Sequence, residues 1–333
     1  MAFRKIGLIG AGAWGTALAQ SLCHKSLDVL LWAYEDQSAV EINAQHTNSV
    51  FLPDIALHPD LRATSHLEDL SNCDVILLVT PVQFTRDILK RVAVRFDAPK
   101  PIVICSKGIE TATQSLLSEV VSESLSGTPI SVLSGPSFAN EVAMGLPVAL
   151  TLACHDKTLG MDLIHTLGQK NFRLYWSDDV IGAQIGGAVK NVMAIACGIS
   201  TGKKLGANAH AALMTRGFSE FAVIGKSFGA QAETLSGLSG LGDLLLTCSQ
   251  KQSRNMSLGF ALGEGHSVES ILSQRRSVTE GVHTTIALHD IAQTRELDLP
   301  ICSAVYDILQ NKTSVDEAIE RLLSRPFKEE HSL

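Results

Sequence analysis

The sequence predicts an α/β doubly wound domain followed by an all-α domain. Two observations predict it: short apolar runs alternate with helical patterns through the first half, and strand signals stop after about Ser177. Strand-like runs fall at 5–9, 28–32, 74–80, 101–106, 130–134, 148–153 and 172–176. The run Val75-Ile76-Leu77-Leu78-Val79 is apolar throughout, as a strand covered on both faces requires. Helical patterns at 14–24, 83–95 and 113–124 separate several of these runs, and strand–helix alternation implies a parallel sheet.

Beyond Ser177 the pattern is helical, broken at Ser236-Gly237-Leu238-Ser239-Gly240-Leu241-Gly242 and Gly263-Glu264-Gly265. Apolar residues recur at helical spacing over 258–262, 268–273 and 305–309. There is no repeat or low-complexity linker, so the expected division is a change of class, at 1–178 and 179–333. The tail Lys328-Glu329-Glu330-His331 is expected to fray.

The 333 residues suffice for two cores, and 45% hydrophobic with 18% charged residues describes an ordinary globular chain. A net charge of −7 argues against a nucleic-acid partner, while leaving room for local basic sites that take a small anion. The apolar run at 75–79 is far too short to span a bilayer, so no membrane insertion is expected. The first residues enter a strand pattern with no signal peptide. Seven scattered cysteines without a C-x-x-C pair fit reduced thiols in the cytoplasm. Eleven histidines form no H-E-x-x-H or similar cluster, and no metal site is expected.

Gly10-Ala11-Gly12-Ala13-Trp14-Gly15 follows the first strand and opens a helix. This G-x-G-x-x-G supplies a tight turn, close backbone approach to a pyrophosphate, and close helix–strand packing. Free N–H groups at the helix start then face the phosphates. The domain is thereby a Rossmann-type dinucleotide-binding unit. After the second strand come Tyr34 and Glu35, with no arginine. Tyr34 either stacks on adenine or covers the strand end. Glu35 either binds a ribose hydroxyl, favouring NAD over NADP, or begins a solvated helix.

Lys190 stands in Ile185-Gly186-Gly187-Ala188-Val189-Lys190-Asn191-Val192-Met193-Ala194-Ile195-Ala196, with Gly, Gly, Met and Ala three and four residues away. An ammonium in that company is expected to be partly buried, to have a shifted pKa and to need a partner, which makes it a candidate acid or base. The other reading is a snorkelling stem. The small neighbours are expected to let ligands approach. Ser106-Lys107-Gly108-Ile109-Glu110 puts Lys107 after a strand, at the carboxyl edge where open α/β sheets bind ligands. Ser134-Gly135-Pro136-Ser137-Phe138-Ala139 can offer amides and a hydroxyl there, or be a turn. Gly242-Asp243 closes a glycine-rich loop. Ser253-Arg254-Asn255 is either a plain helix cap or a phosphate site of cap, guanidinium and amides.

Together with Phe-Leu-Pro at 51–53, Gly-Leu-Gly-Asp-Leu at 240–244 and Val-Thr-Glu-Gly at 278–281, these segments closely resemble the bacterial-type NAD(P)-dependent sn-glycerol-3-phosphate dehydrogenases. The resemblance runs from residue 6 to about 310. It implies an oxidoreductase interconverting dihydroxyacetone phosphate and sn-glycerol 3-phosphate, supplying phospholipid synthesis, and a homodimer. It implies Lys190 as proton donor and acceptor, assisted by Lys107 and Asp243. It implies substrate contacts from Lys107, Gly135, Ser137, Lys190, Asp243, Ser253, Arg254 and Asn255. The dinucleotide would meet Gly10, Gly12, Ala13, Trp14, Gly15, Tyr34, Lys107, Ala139, Arg254, Val278 and Glu280. Many members carry Arg where this chain has Tyr34, which bears on dual NAD and NADP use. A related 3-hydroxyacid or phosphogluconate-type dehydrogenase and a non-catalytic NAD(H)-binding regulator are the alternatives. The Ser-Arg-Asn and Gly-Leu-Gly-Asp-Leu segments speak against the first. The full Lys190, Lys107, Asp243, Arg254 set speaks against the second.

Overall fold

The computed structural model describes residues 3–96, 98–274, 278–327 and 329. Lys328, Glu330 and His331 of the tail expected to fray lie outside the described residues. The chain divides into two compact units, Met1–Ser106 with Leu117–Ala183, and Lys107–Leu116 with Gln184–Leu333.

The first unit holds one eight-stranded sheet: β1 (Lys5–Ile9), β2 (Asp28–Trp32), β3 (Arg62–Thr64), β4 (Val75–Leu78), β5 (Ile102–Ile104), β6 (Ile130–Ser134), β7 (Val148–Cys154) and β8 (Phe172–Ser177). The order is β3-β2-β1-β4-β5-β6-β7-β8. The order reverses between β1 and β4, which opens a crevice at the carboxyl ends of those strands. β4 shows why a doubly covered strand is apolar throughout. Val75 and Leu77 join one hydrophobic cluster, while Ile76 and Leu78 join the other.

Three expectations are corrected. β3 was not foreseen, because three residues, Arg-Ala-Thr, are too few for a pattern; its partner β2 selects it, pairing Leu30 with Arg62 and Trp32 with Thr64. The sheet is not wholly parallel, since β6 and β7 run antiparallel, with Ser131 opposite Cys154. Their connection carries only the five-residue helix Ala139–Ala143, roughly 8 Å long, too short to carry the chain back along a strand. The helix expected over 113–124 starts at Leu117. Before it, Thr113 Oγ1 donates to Glu110 Oε2 at 2.5 Å, and Ile109 and Leu116 form an antiparallel bridge that closes a tight loop.

Among the described residues, the second unit contributes no strand to the sheet. Its main helices are Val180–Gly202 (whose first residues belong to the first unit), Ala207–Phe228, Asp243–Ser249, Arg254–Gly263, Glu280–Thr294, Pro300–Leu309 and Val315–Leu323. Val180–Gly202 is long and apolar enough by composition to cross a membrane, although it carries Lys190 at its middle. Yet 94% of its apolar window is buried inside the protein, as befits a core helix. Its small residues serve packing. A Cβ on Gly198 would meet the Met256 carbonyl, and one on Gly259 would meet the Ile195 carbonyl. Gly186 likewise lies against the Ser239 carbonyl, so this glycine admits backbone where ligand approach was expected. Elsewhere in the unit, buried Glu220 accepts the N–H groups of Ile301 and Cys302 at 2.6 and 3.0 Å, satisfying two amides at the start of Pro300–Leu309.

Candidate active site

Lys190 is 7% exposed, midway along Val180–Gly202. Its Nζ donates to Asp243 Oδ1 at 2.6 Å and to Thr247 Oγ1 at 3.0 Å. Lys107 donates to the other carboxylate oxygen, Oδ2, at 2.8 Å. Asp243 is fully buried and holds both ammonium groups. It opens the helix Asp243–Ser249 straight after a π-helical turn, Leu238–Gly242, whose glycines let the chain fold tightly. Thr247, one turn further, also donates to Asp243 Oδ1, at 3.2 Å.

Burial disfavours a charged amine, and it lowers the Lys190 pKa from 10.5 to about 8. The Asp243 carboxylate opposes that shift and the nearby Lys107 charge adds to it. An amine that titrates near 8 can give a proton and take one back at ordinary pH.

The same unit holds an anion-type helix start. Ser253 caps Arg254–Gly263, its Oγ accepting the Met256 N–H at 3.2 Å, so the cap reading holds. Its own N–H is spent on the Gln250 carbonyl at 3.0 Å, which leaves the first-turn amides of Arg254 and Asn255 as the anion-facing donors of this helix start. Arg254 Nη1 donates to the Val278 carbonyl at 3.1 Å. Burial lowers the Arg254 pKa, opposed by the charge of Glu280, the first residue of Glu280–Thr294. Asn255 donates to Asn191 Oδ1 at 2.9 Å, beside Lys190, and accepts the Gly281 N–H at 3.1 Å. Lys190, Lys107 and Asp243 thus form one bonded group, while Arg254 and Asn255 at the start of Arg254–Gly263 bond to Val278 and Gly281, with the Glu280 charge acting on Arg254.

In the first unit, Gly10 takes φ +120°, and a Cβ there would stand 2.8 Å from the Val79 carbonyl oxygen. Gly15 packs onto the Gly10 carbonyl. Gly12 differs, since nothing lies within 4 Å of where its Cβ would be. It is the N-cap of Ala13–Cys23 and no side chain caps that helix. Trp14 Nε1 is buried without a hydrogen-bond partner among the described residues. Open space at Gly12, uncapped amides and an orphan donor fit a pyrophosphate-bearing dinucleotide. Gly135, at φ +141°, directly follows β6, and its carbonyl accepts Ser137 Oγ at 3.0 Å; Ala139 opens the short helix that follows. Tyr34 is 72% exposed at the end of β2, edge-on to Trp32.

The profile of the NAD-dependent glycerol-3-phosphate dehydrogenase N-terminus matches residues 5–160, and that of the C-terminus matches 179–320. Glycerol-3-phosphate dehydrogenase (NAD(P)+) of Parvibaculum lavamentivorans is 52% identical over 330 residues, covering 99% of both chains. The enzyme of the same name from Maricaulis maris is 52% identical over 325 residues, covering 98% of each. The crystal structure of glycerol-3-phosphate dehydrogenase from Coxiella burnetii superposes with a TM-score of 0.94 at 40% identity, covering 98% of this chain and 100% of that one. The chain belongs to the NAD-dependent glycerol-3-phosphate dehydrogenase family.

Membership makes the chain an NAD(P)-dependent oxidoreductase. Hydrogen bonds bring three further polar residues, Thr247, Asn191 and Asn48, to these groups. Thr247 bonds both Lys190 and Asp243; its signal was a hydroxyl four residues after Asp243, on the same helix face. Asn191, next to Lys190, takes the bond from Asn255. Asn48 is buried and donates to the Ala11 carbonyl at 2.9 Å and to Thr16 Oγ1 at 2.8 Å, bracing the glycine loop of this dehydrogenase from 37 residues away. No spacing in the sequence marks that residue.

Proposed function

We propose that the chain interconverts dihydroxyacetone phosphate and sn-glycerol 3-phosphate, with Lys190 as the proton donor and acceptor, and that the product feeds phospholipid synthesis. The observation that carries this reading is the buried Asp243 carboxylate with one ammonium on each oxygen. A bound nicotinamide supplies or accepts the hydride. Lys190, as ammonium, stabilises the negative charge that grows on the substrate carbonyl oxygen and gives it a proton; as amine it takes the proton back. Asp243 holds Lys190 in place and keeps two like charges close together. Lys107 adds positive potential at the same atom. The Arg254 guanidinium, the Ser253 hydroxyl and the amides of Arg254 and Asn255 hold the phosphate. Gly135 and Ser137 add contacts to the substrate, and Ala139, Val278, Glu280 and the Gly10–Gly15 loop hold the dinucleotide.

Residues 1–178 then carry the dinucleotide role and 179–333 the substrate and proton chemistry, with Lys107 serving the second. An exposed tyrosine and Glu35, with no guanidinium after β2, support NADH over NADPH. The homodimer rests on the family resemblance, and light scattering reads it. Seven free cysteines support a cytoplasmic setting.

The test follows NADH and NADPH oxidation with dihydroxyacetone phosphate. We expect turnover with both or with NADH alone. The lowered Lys190 pKa sets the pH profile. Carbonyl reduction needs the ammonium and should fall as pH rises through about 8, while glycerol phosphate oxidation needs the amine and should rise through the same value. No oxidation of either cofactor would end the reading.

A further inference from the structure

Two bonds join the start of Arg254–Gly263 to the segment 278–281, and a third joins it to the Lys190 helix. Arg254 Nη1 holds the Val278 carbonyl. Asn255 Oδ1 accepts the Gly281 N–H, and Asn255 Nδ2 donates to Asn191 Oδ1. Asn255 is buried, so turning its carboxamide away would leave buried donors and acceptors unmet. Its two ends are therefore both committed within the protein, and any contact from this position to an anion falls to its backbone N–H. The fit is close. A Cβ on Gly281 would stand 2.5 Å from Asn255 Oδ1 and 3.0 Å from the Asn191 carbonyl oxygen, so only a glycine lets Glu280–Thr294 press this near. Asn191 is itself fixed, donating to the Gly187 carbonyl at 3.3 Å.

We infer that the Asn255 carboxamide is a positioning group that locks 278–281 and Asn191 to the helix start at Ser253–Asn255, so that an anion held at that start and a dinucleotide held by Val278 and Glu280 strengthen each other's binding. The identities of the two ligands rest on the proposed function. An anion on the amides of Arg254 and Asn255 orders the start of this helix, and the two bonds pass that order to 278–281. Thermodynamic linkage makes the effect reciprocal: whatever factor phosphate adds to dinucleotide affinity, the dinucleotide adds to phosphate affinity.

The test titrates NADH by its fluorescence into the full chain, with and without inorganic phosphate as the probe for the anion site. In the wild type, phosphate should tighten NADH by roughly 5-fold or more. In Asn255→Ala that factor should drop to near one, with the backbone amide still present to bind phosphate. Gly281→Ala, which leaves Asn255 in place but drives its carboxamide off the Gly281 N–H, should behave alike. Absence of coupling in the wild type, weakening by phosphate, or wild-type coupling in a folded Asn255→Ala would each overturn the inference. So would failure of both variants to fold by circular dichroism, since the link would then be a mere strut. Wild-type turnover of dihydroxyacetone phosphate is followed in parallel. Turnover with coupling unchanged in Asn255→Ala removes this inference alone, whereas coupling without turnover removes the reaction reading alone.

Discussion

The glycine loop and the lysine–aspartate cluster reach function by opposite physical routes. The glycines at 10, 12 and 15 work through side chains that are missing, and six consecutive residues contain all three, with Asn48 bracing them from outside. The cluster works through the charged side chains of residues 107, 190 and 243 and the hydroxyl of residue 247, brought together from distant parts of the chain. In the loop, adding atoms does the damage. In the cluster, removing them does, because a buried ammonium or carboxylate is left without its counter-charge.

That contrast can be broken at its charged end first. Lys190→Ala should lower turnover by about 10²–10⁴-fold, the usual worth of a positioned acid–base group, while NADH still binds. Near-normal turnover would show that the proton comes from elsewhere. At the loop end, Gly12→Ala puts a methyl group into open space, so the melting temperature should stay near that of the wild type. NADH affinity should nevertheless fall by about tenfold, roughly 1.4 kcal/mol, because the methyl stands where a pyrophosphate approaches. Gly15→Ala, whose Cβ would strike the Gly10 carbonyl, should lower the melting temperature instead. Equal melting losses in both glycine variants would erase the distinction between ligand space and packing space.

The smallest effect sharpens the comparison with a buried charge outside the cluster. Burial pushes Glu220 from 4.5 up to about 7, against the pull of the Cys302 and Ile301 N–H groups. Between those two values the folded chain binds more protons than the unfolded one, so stability should fall as pH rises through that window. Glu220→Gln should flatten this slope, and melting curves at pH 5 and pH 8 would differ by a few degrees more in the wild type than in the variant. Parallel slopes would mean that Glu220 is not the group responsible.

What could be seen in the sequence follows the same division. The loop was legible because its function needs glycines at fixed spacing next to a strand and a helix. Strands β1, β2 and β6 were legible for their period and apolar content, whereas β3 has three residues and exists because β2 offers it an edge. The partly buried state of Lys190 could be inferred from its neighbours, but Gly186 turned out to admit the Ser239 carbonyl. Asn48 carries no sequence signal because its nearness to Ala11 and Thr16 is fixed only by packing, whereas Thr247 shares a helix face with Asp243 and only its bond to Lys190 depends on packing. The resemblance to a family supplied the roles of Arg254 and Asn255; nothing in their spacing would have shown that the Asn255 carboxamide is occupied on both sides.

The loop Lys107–Leu116 has a further consequence for how this chain can be divided. It is grouped with the second unit although the chain on both sides of it belongs to the first. The backbone therefore passes from one unit to the other three times, at 106–107, 116–117 and 183–184. No single cut of the backbone yields two intact halves. Cleavage near residue 178 would send Lys107 away with the fragment that lacks Asp243, leaving that carboxylate with one ammonium in place of two. Inheritance of these two units as freely exchangeable modules is closed to a chain threaded in this way.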